Sequence, residues 1–186
     1  NNGEKLDLEA DPYIKLYNEY FGGGMNAIVF QEMREARGLA YSASGRLLEP
    51  EYKDDSYKYF AFIATQNDKM QTAIEAFDEI INDMPESETA FNIAKEALTT
   101  RCRTERITGR NILNSYRTAR QQGVTEPRSK KVFENLPALT LADVKATQEK
   151  WVKDRTYCYG ILGDIKNLDT DYLKTLGQVE ILTLED

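Results

Sequence analysis

Arg34 and Tyr41 are the two side chains whose types and spacing could do chemistry. They close the run Gly22-Gly23-Gly24-Met25-Asn26-Ala27-Ile28-Val29-Phe30-Gln31-Glu32-Met33-Arg34-Glu35-Ala36-Arg37-Gly38-Leu39-Ala40-Tyr41. The run reads as a glycine loop, a short helix, a glycine stop and a strand. Arg34 then ends the helix, and Tyr41, seven residues later, stands on the strand. On the residues alone, Arg34 is a cation favoured by the C-terminal helix dipole and Tyr41 a strand aromatic. Other chemistry is excluded by composition. The chain has no histidine, so neither His-Glu-x-x-His nor the inverted His-x-x-Glu-His zinc motif is present. Serine and cysteine nucleophiles lack an imidazole base for the same reason. No metal site or cofactor is expected in this chain. Gly22, Gly23 and Gly24, ahead of a helix, could present free N–H groups to an anion. Without a lysine or a preceding strand they do not make a phosphate loop, and they stand as candidate loop contacts.

The elements that position this pair follow from periodicity. Asp11-Pro12 is a helix start, with Asp11 as the cap and proline at the first turn. Tyr13, Leu16, Tyr17 and Tyr20 follow on one face. Met25, Ile28, Val29, Met33 and Ala36 form the apolar face of a second helix, stopped by Gly38. Residues 39–48 and 57–65 alternate and predict two antiparallel strands, joined by polar residues 49–55. Met70, Ala73, Ile74, Phe77, Ile80, Ile81 and Met84 then predict an amphipathic helix. Pro85 ends it, and Ser87 caps another that runs to about Ile107. A further helix is expected over residues 110–122. Thr140 and Asp143 form a capping box, with Leu139 and Val144 as hydrophobic staple. Residues 155–162 read as a buried strand, 169–175 as a short helix and 179–184 as a last strand. The mixture predicts an α+β fold, an antiparallel or mixed sheet with helices packed on one face.

At 186 residues the chain is one domain, long enough to bury a core. Hydrophobic residues make up 41% and charged residues 30%, as in globular proteins. No run of 18 apolar residues and no basic region followed by an apolar one occurs in these residues, so neither a membrane span nor a signal peptide is expected within them. The sequence opens Asn1-Asn2-Gly3, without an initiator methionine, and reads as a processed product or a piece of a longer protein. Its compartment is therefore left open. Cys102 and Cys158 are expected to be buried free thiols. The net charge of −7 disfavours nucleic acid as a partner. It is unevenly spread: residues 95–131 contain ten basic and three acidic residues, +7, leaving −14 elsewhere. Arg103, Arg106 and Arg110, spaced 3 and 4 along a helix, read as a solvated face or as a face turned to a substrate chamber or a neighbouring acidic domain.

The run from Asn18 to Ala43 resembles the C-terminal, metal-free domain of the pitrilysin and insulin-degrading-enzyme (inverzincin) zinc metallopeptidases. The helix start Pro85-Glu86-Ser87-Glu88, then Ala94-Lys95-Glu96-Ala97-Leu98, Leu139-Thr140-Leu141-Ala142-Asp143-Val144 and Gly160-Ile161-Leu162-Gly163-Asp164 follow in the family's order, so the resemblance covers about residues 11–165. It implies an α+β unit in a clam-shell chamber, with zinc in a catalytic domain of the same parent chain or of a partner subunit. It also implies that Arg34 and Tyr41 contact peptide substrate bound at that zinc. A guanidinium offers a rigid fork of donors and a phenol one O–H. Arg37, in the same turn, is not at the contact position. The alternative is a catalytically inactive scaffold subunit of the same family. The family's leading strand has no counterpart in the short, polar residues 1–10, so the sheet is expected to lack its first strand and leave an edge open.

Overall fold

The computed structural model describes residues 3–182. Helix α1 (Asp11–Gly22) is its centre, packed against β1 (Ser42–Leu48), α4 (Glu88–Thr104), α6 (Arg128–Asn135) and α7 (Leu141–Trp151). Its Ile14, Leu16, Tyr17, Tyr20 and Phe21 are almost wholly buried. Two rows of large apolar side chains explain why four elements can close around one helix. Tyr13, expected on that face, is exposed instead, and Ile14 takes its place. Asp11 is not a cap: the cap position is Ala10, with no side-chain cap bond, and Asp11 is buried.

Strands β1 (Ser42–Leu48) and β2 (Lys58–Ala64) pair antiparallel, with Leu47 opposite Tyr59 and Ala43 opposite Ile63. That register puts Ala43, Leu47, Tyr59 and Ile63 on the helix side. Phe60 and Phe62 stand exposed on the other face. Asn18 of α1 grips the backbone of Leu47, accepting from its N–H at 2.8 Å and donating to its carbonyl at 2.9 Å. Among the described residues the sheet has these two strands, plus an isolated antiparallel bridge between Lys5 and Ser56. The fold is α+β, mostly helical, with the helices on one face of the sheet.

The remaining helices are α3 (Met70–Asn82), α4 (Glu88–Thr104), α5 (Ile112–Gln122), α6 (Arg128–Asn135), α7 (Leu141–Trp151) and α8 (Thr170–Leu176). The sequence does not predict α6. Ser87 caps α4 by accepting from Ala90 N–H, and Thr140 and Asp143 form the capping box of α7. No helix is long and apolar enough to cross a membrane among the described residues.

Residues 155–162 are not a strand. Alternation supplies side chains for two faces, but a strand also needs a backbone partner. Here the side chains fix the segment instead: the Tyr157 hydroxyl donates to Val152 O at 2.5 Å, and the Tyr159 hydroxyl to Asp78 at 2.9 Å. Cys158, expected to be buried, is consequently exposed. Residues 179–182 form no strand either, and the rest of that expected strand lies outside the described residues.

Candidate functional site

The glycine run is three different positions. Gly22 ends α1 rather than starting a loop, and it lies against β1: a Cβ there would sit 2.0 Å from the Gly45 carbonyl oxygen. Gly23 is closed on by the backbone of Glu19, 2.8 Å from where its Cβ would be. Gly24 faces open space, so of the three only Gly24 could carry a side chain without meeting backbone. Met25, expected in the apolar face of the next helix, is 72% exposed.

Helix α2 (Ile28–Phe30) buries Ile28 and Val29 and then widens into a π-turn, Gln31–Ala36. The sequence shows an ordinary helix here. The wider turn is visible in the backbone bond from Arg37 N–H to Glu32 O at 3.2 Å, five residues back. Such bulges concentrate at functional positions. Met33 stays buried, and its carbonyl accepts from both Leu39 N–H (2.9 Å) and Ala40 N–H (3.2 Å). Gly38 takes a left-handed conformation, φ +58°, which lets the chain reverse toward β1. Thr65 donates to Leu39 O at 2.6 Å and Lys69 to Gly38 O at 3.2 Å. Tyr41 N–H bonds Ala64 O at 2.8 Å. The backbone from Arg34 to Tyr41 is thus held at both ends and in the middle.

This frame brings Arg34 and Tyr41 together. The Arg34 guanidinium carbon lies 5.0 Å from the Phe30 ring centre and 5.5 Å from that of Tyr41. Both rings lie within the range where cation–π attraction is effective. Its nearest carboxylate, Glu35, is 3.7 Å away and exposed. The Tyr41 side chain is 80% exposed and borders a groove of about 300 Å³ with Gly38, Leu39, Thr65, Gln66 and Lys69. Arg37 is fixed differently. It donates to Glu79 of α3 at 2.7 Å and lies 3.6 Å from Glu32. The Glu79 bond is also the main reason its pKa rises above the ordinary value. One arginine of the turn is a tie to α3; the other lies against two rings and makes no ion pair outside its own turn.

Among the described residues no group of histidine, cysteine or carboxylate side chains could hold a metal ion. Cys102 is half-buried, and burial, then the charge of Glu105, push its thiol pKa up, which makes it a poor nucleophile. Sequence reasoning missed a polar cluster. Buried Asp11 receives both Arg128 Nε, at 2.5 Å, and Arg128 Nη2. The same guanidinium donates to Glu49 (2.7 Å) and Gln122 (3.0 Å). The 117-residue separation of Asp11 from Arg128 left no local signal. The cluster joins α1, α5, α6 and the loop after β1, well satisfied and enclosed, so it is a fastening of the fold.

The sequence pattern of the peptidase M16 inactive domain matches residues 2–98. That is more than half of the chain, which therefore belongs to this family of metal-free peptidase domains. A solved structure of a peptidase M16 inactive domain from Pseudomonas fluorescens has the same fold, with a TM-score of 0.60 at 19% identity. The match covers 80% of this chain and 35% of that one, so the present sequence spans about a third of that neighbour's length. No curated protein matches the sequence.

Proposed function

We propose that this domain is the substrate-contacting, non-catalytic part of a zinc metalloendopeptidase. It closes one side of a chamber and touches peptide bound at a zinc held by another domain, of the same polypeptide or of a partner subunit. The observation that supports this most is the contrast within one turn. Arg37 is consumed by Glu79 and Glu32. Arg34 and Tyr41 are gathered side by side on an exposed rim, with no carboxylate of another element on either. Among the described residues no side-chain group could ligate that zinc. This chain contributes donors: the Arg34 fork to peptide carbonyls and the Tyr41 hydroxyl to a developing oxyanion. Among the described residues the sheet holds only β1 and β2, with a single further bridge from Lys5 to Ser56, which supports reading residues 1–186 as one unit of a longer protein with an incomplete sheet.

The test is steady-state kinetics of the parent peptidase carrying Arg34→Ala or Tyr41→Phe, with thermal melts and zinc content as controls. Tyr41→Phe should lower kcat, and Arg34→Ala both kcat and kcat/KM, by about 10²-fold for a lost donor at developing charge. Near-normal kinetics in both variants would refute this role and leave the inactive scaffold of the same family as the reading.

A further inference from the structure

The sheet turns one face to the helices and one away from them. The register of β1 and β2 puts Ser42, Ser44, Arg46 and Leu48 on the outer face, opposite Ala64, Phe62, Phe60 and Lys58. The outer face of an antiparallel sheet is ordinarily polar. This one carries two rings, Phe60 and Phe62, each 49% exposed. Arg46 and Lys58 are exposed with them. Among the described residues neither cation pairs with a carboxylate. The strands and their flanks supply no compensating charge: residues 37–48 and 57–67 contain no aspartate or glutamate, in a chain that has 31. The face is therefore apolar and positive on a protein whose net charge is −7.

This face is continuous with the Arg34–Tyr41 site. Ala64 lines the Tyr41 groove, and Phe62, Phe60 and Lys58 follow it at every second residue of β2. At about 3.3 Å per residue, Phe60 and the opposite Arg46 stand about 13 Å from Ala64, and Lys58 about 20 Å. An extended peptide has the same rise and the same alternation. A peptide leaving the groove along β2 would set every second side chain over this row.

We propose that the outer face of the sheet prolongs the peptide site and selects acidic, extended substrate segments. Phe62 and Phe60 take apolar side chains next to the Tyr41 contact. Arg46 and Lys58 take carboxylates about four to six residues away from it. The inference rests on the reading of Arg34 and Tyr41 as peptide contacts. Contiguous exposed apolar surface bordered by charge marks a binding face, and opposite charge across such a face sets specificity more than raw affinity.

Fluorescence anisotropy of two labelled nonapeptides tests this on the parent protein, with a chelator present so that neither peptide is cut. Both carry two phenylalanines in one half. In the other half, alternate positions are glutamate in one peptide and lysine in the second. The glutamate peptide should bind about tenfold tighter at low salt. The difference should shrink in 1 M salt, where the Debye length falls to about 3 Å. Arg46→Glu combined with Lys58→Glu should reverse the preference, which a damaged fold cannot do. Phe62→Thr, which keeps a strand-forming residue, should weaken both peptides alike. Equal binding of the two peptides by the wild type would overturn the proposal, as would a preference for glutamate that survives the charge reversal. Unchanged peptide binding with a lowered melting temperature in the reversed variant would assign the face to a neighbouring domain and overturn it too. Arg34→Ala in the same assay keeps the two readings apart. If it weakens both peptides while the charge reversal changes nothing, the selecting face fails and the role of Arg34 stands. If it is silent while the reversal inverts the preference, the selecting face stands and the role of Arg34 fails.

Discussion

Replacing Arg128 by methionine should be among the most damaging single changes in this domain. Methionine keeps most of the side chain's apolar volume, so the loss is electrostatic rather than a cavity. The Asp11 side chain is 2% exposed and that of Arg128 17%. Burial works against the arginine's charge, yet its bonds to Asp11 and the charge of Glu49 hold its pKa above the ordinary value. Removing it strands Asp11 with no cation, whereas Glu49 keeps Lys15. Breaking one partner of a buried pair costs about 3–5 kcal/mol, and the Gln122 bond adds to that loss. Set against a domain stability of about 5–15 kcal/mol, Arg128→Met should shift the urea midpoint by a large part of its value. Asp11→Asn should cost less, since Arg128 retains Glu49. The double variant should be less harmful than the sum, with a coupling of about 1.5–3 kcal/mol. Urea denaturation of the four proteins, followed by the fluorescence of Trp151, measures this cycle. A cost below about 1 kcal/mol for Arg128→Met, or no coupling to Asp11, would mean the cluster behaves as an exposed ion pair and would refute the reasoning.

Gly22→Ala should destabilise by about 1–3 kcal/mol or more, because its Cβ would meet the Gly45 backbone at 2.0 Å. Gly24→Ala meets nothing within 4 Å and should change stability by less than about 0.5 kcal/mol; thermal melts of the pair separate packing glycine from open glycine, and similar losses would contradict the assignment. Glu49 supplies a pH test. Burial, the largest influence, raises its pKa, but Lys15 and Arg128 together bring it below the ordinary value. A carboxylate with a depressed folded pKa stabilises above its unfolded pKa, about 4.3, and that contribution is lost as pH falls through the folded value. The stability gap between wild type and Glu49→Gln should therefore be present at neutral pH and shrink below about pH 4; a gap independent of pH would remove Glu49 from the cluster's energetics.

What could be read from the sequence was what is encoded locally. The spacing of Met70 to Met84 is sufficient for α3, and Ser87, Thr140 and Asp143 cap the helices they were expected to cap. Helix α6 was invisible because its eight residues, RSKKVFEN, carry one adjacent apolar pair and no period. It is held from outside, by Val132 in the core and by Arg128 on Asp11. Asp11 misled for a related reason. Before a proline at a helix start, a carboxylate reads as a cap, and only the distant arginine shows that it is a buried counter-ion. Residues 155–162 failed in the opposite direction: their alternation is real, but alternation specifies faces and says nothing about whether a neighbouring strand exists.

The candidate site was legible in its residues and hidden in its geometry. Seven positions separate Arg34 from Tyr41, and a regular helix followed by a strand gives no reason for them to touch. The π-turn supplies it. Arg37 N–H reaches back to Glu32 O, and Leu39 and Ala40 both fold onto the Met33 carbonyl. The reversal at Gly38 then returns Tyr41 to the side of the guanidinium. This separates two jobs that share one turn. Met33 buries and Arg37 anchors, so they carry the stability, while Arg34 and Tyr41 stay on the rim. Replacing Tyr41, whose side chain is 80% exposed, by phenylalanine should therefore leave stability within about 0.5 kcal/mol, whereas Arg37→Ala should loosen the turn from α3. A turn whose anchoring and rim residues can be changed independently is what the proposed peptide-contacting role requires, because Arg34 and Tyr41 are then held in place without being spent on holding the fold.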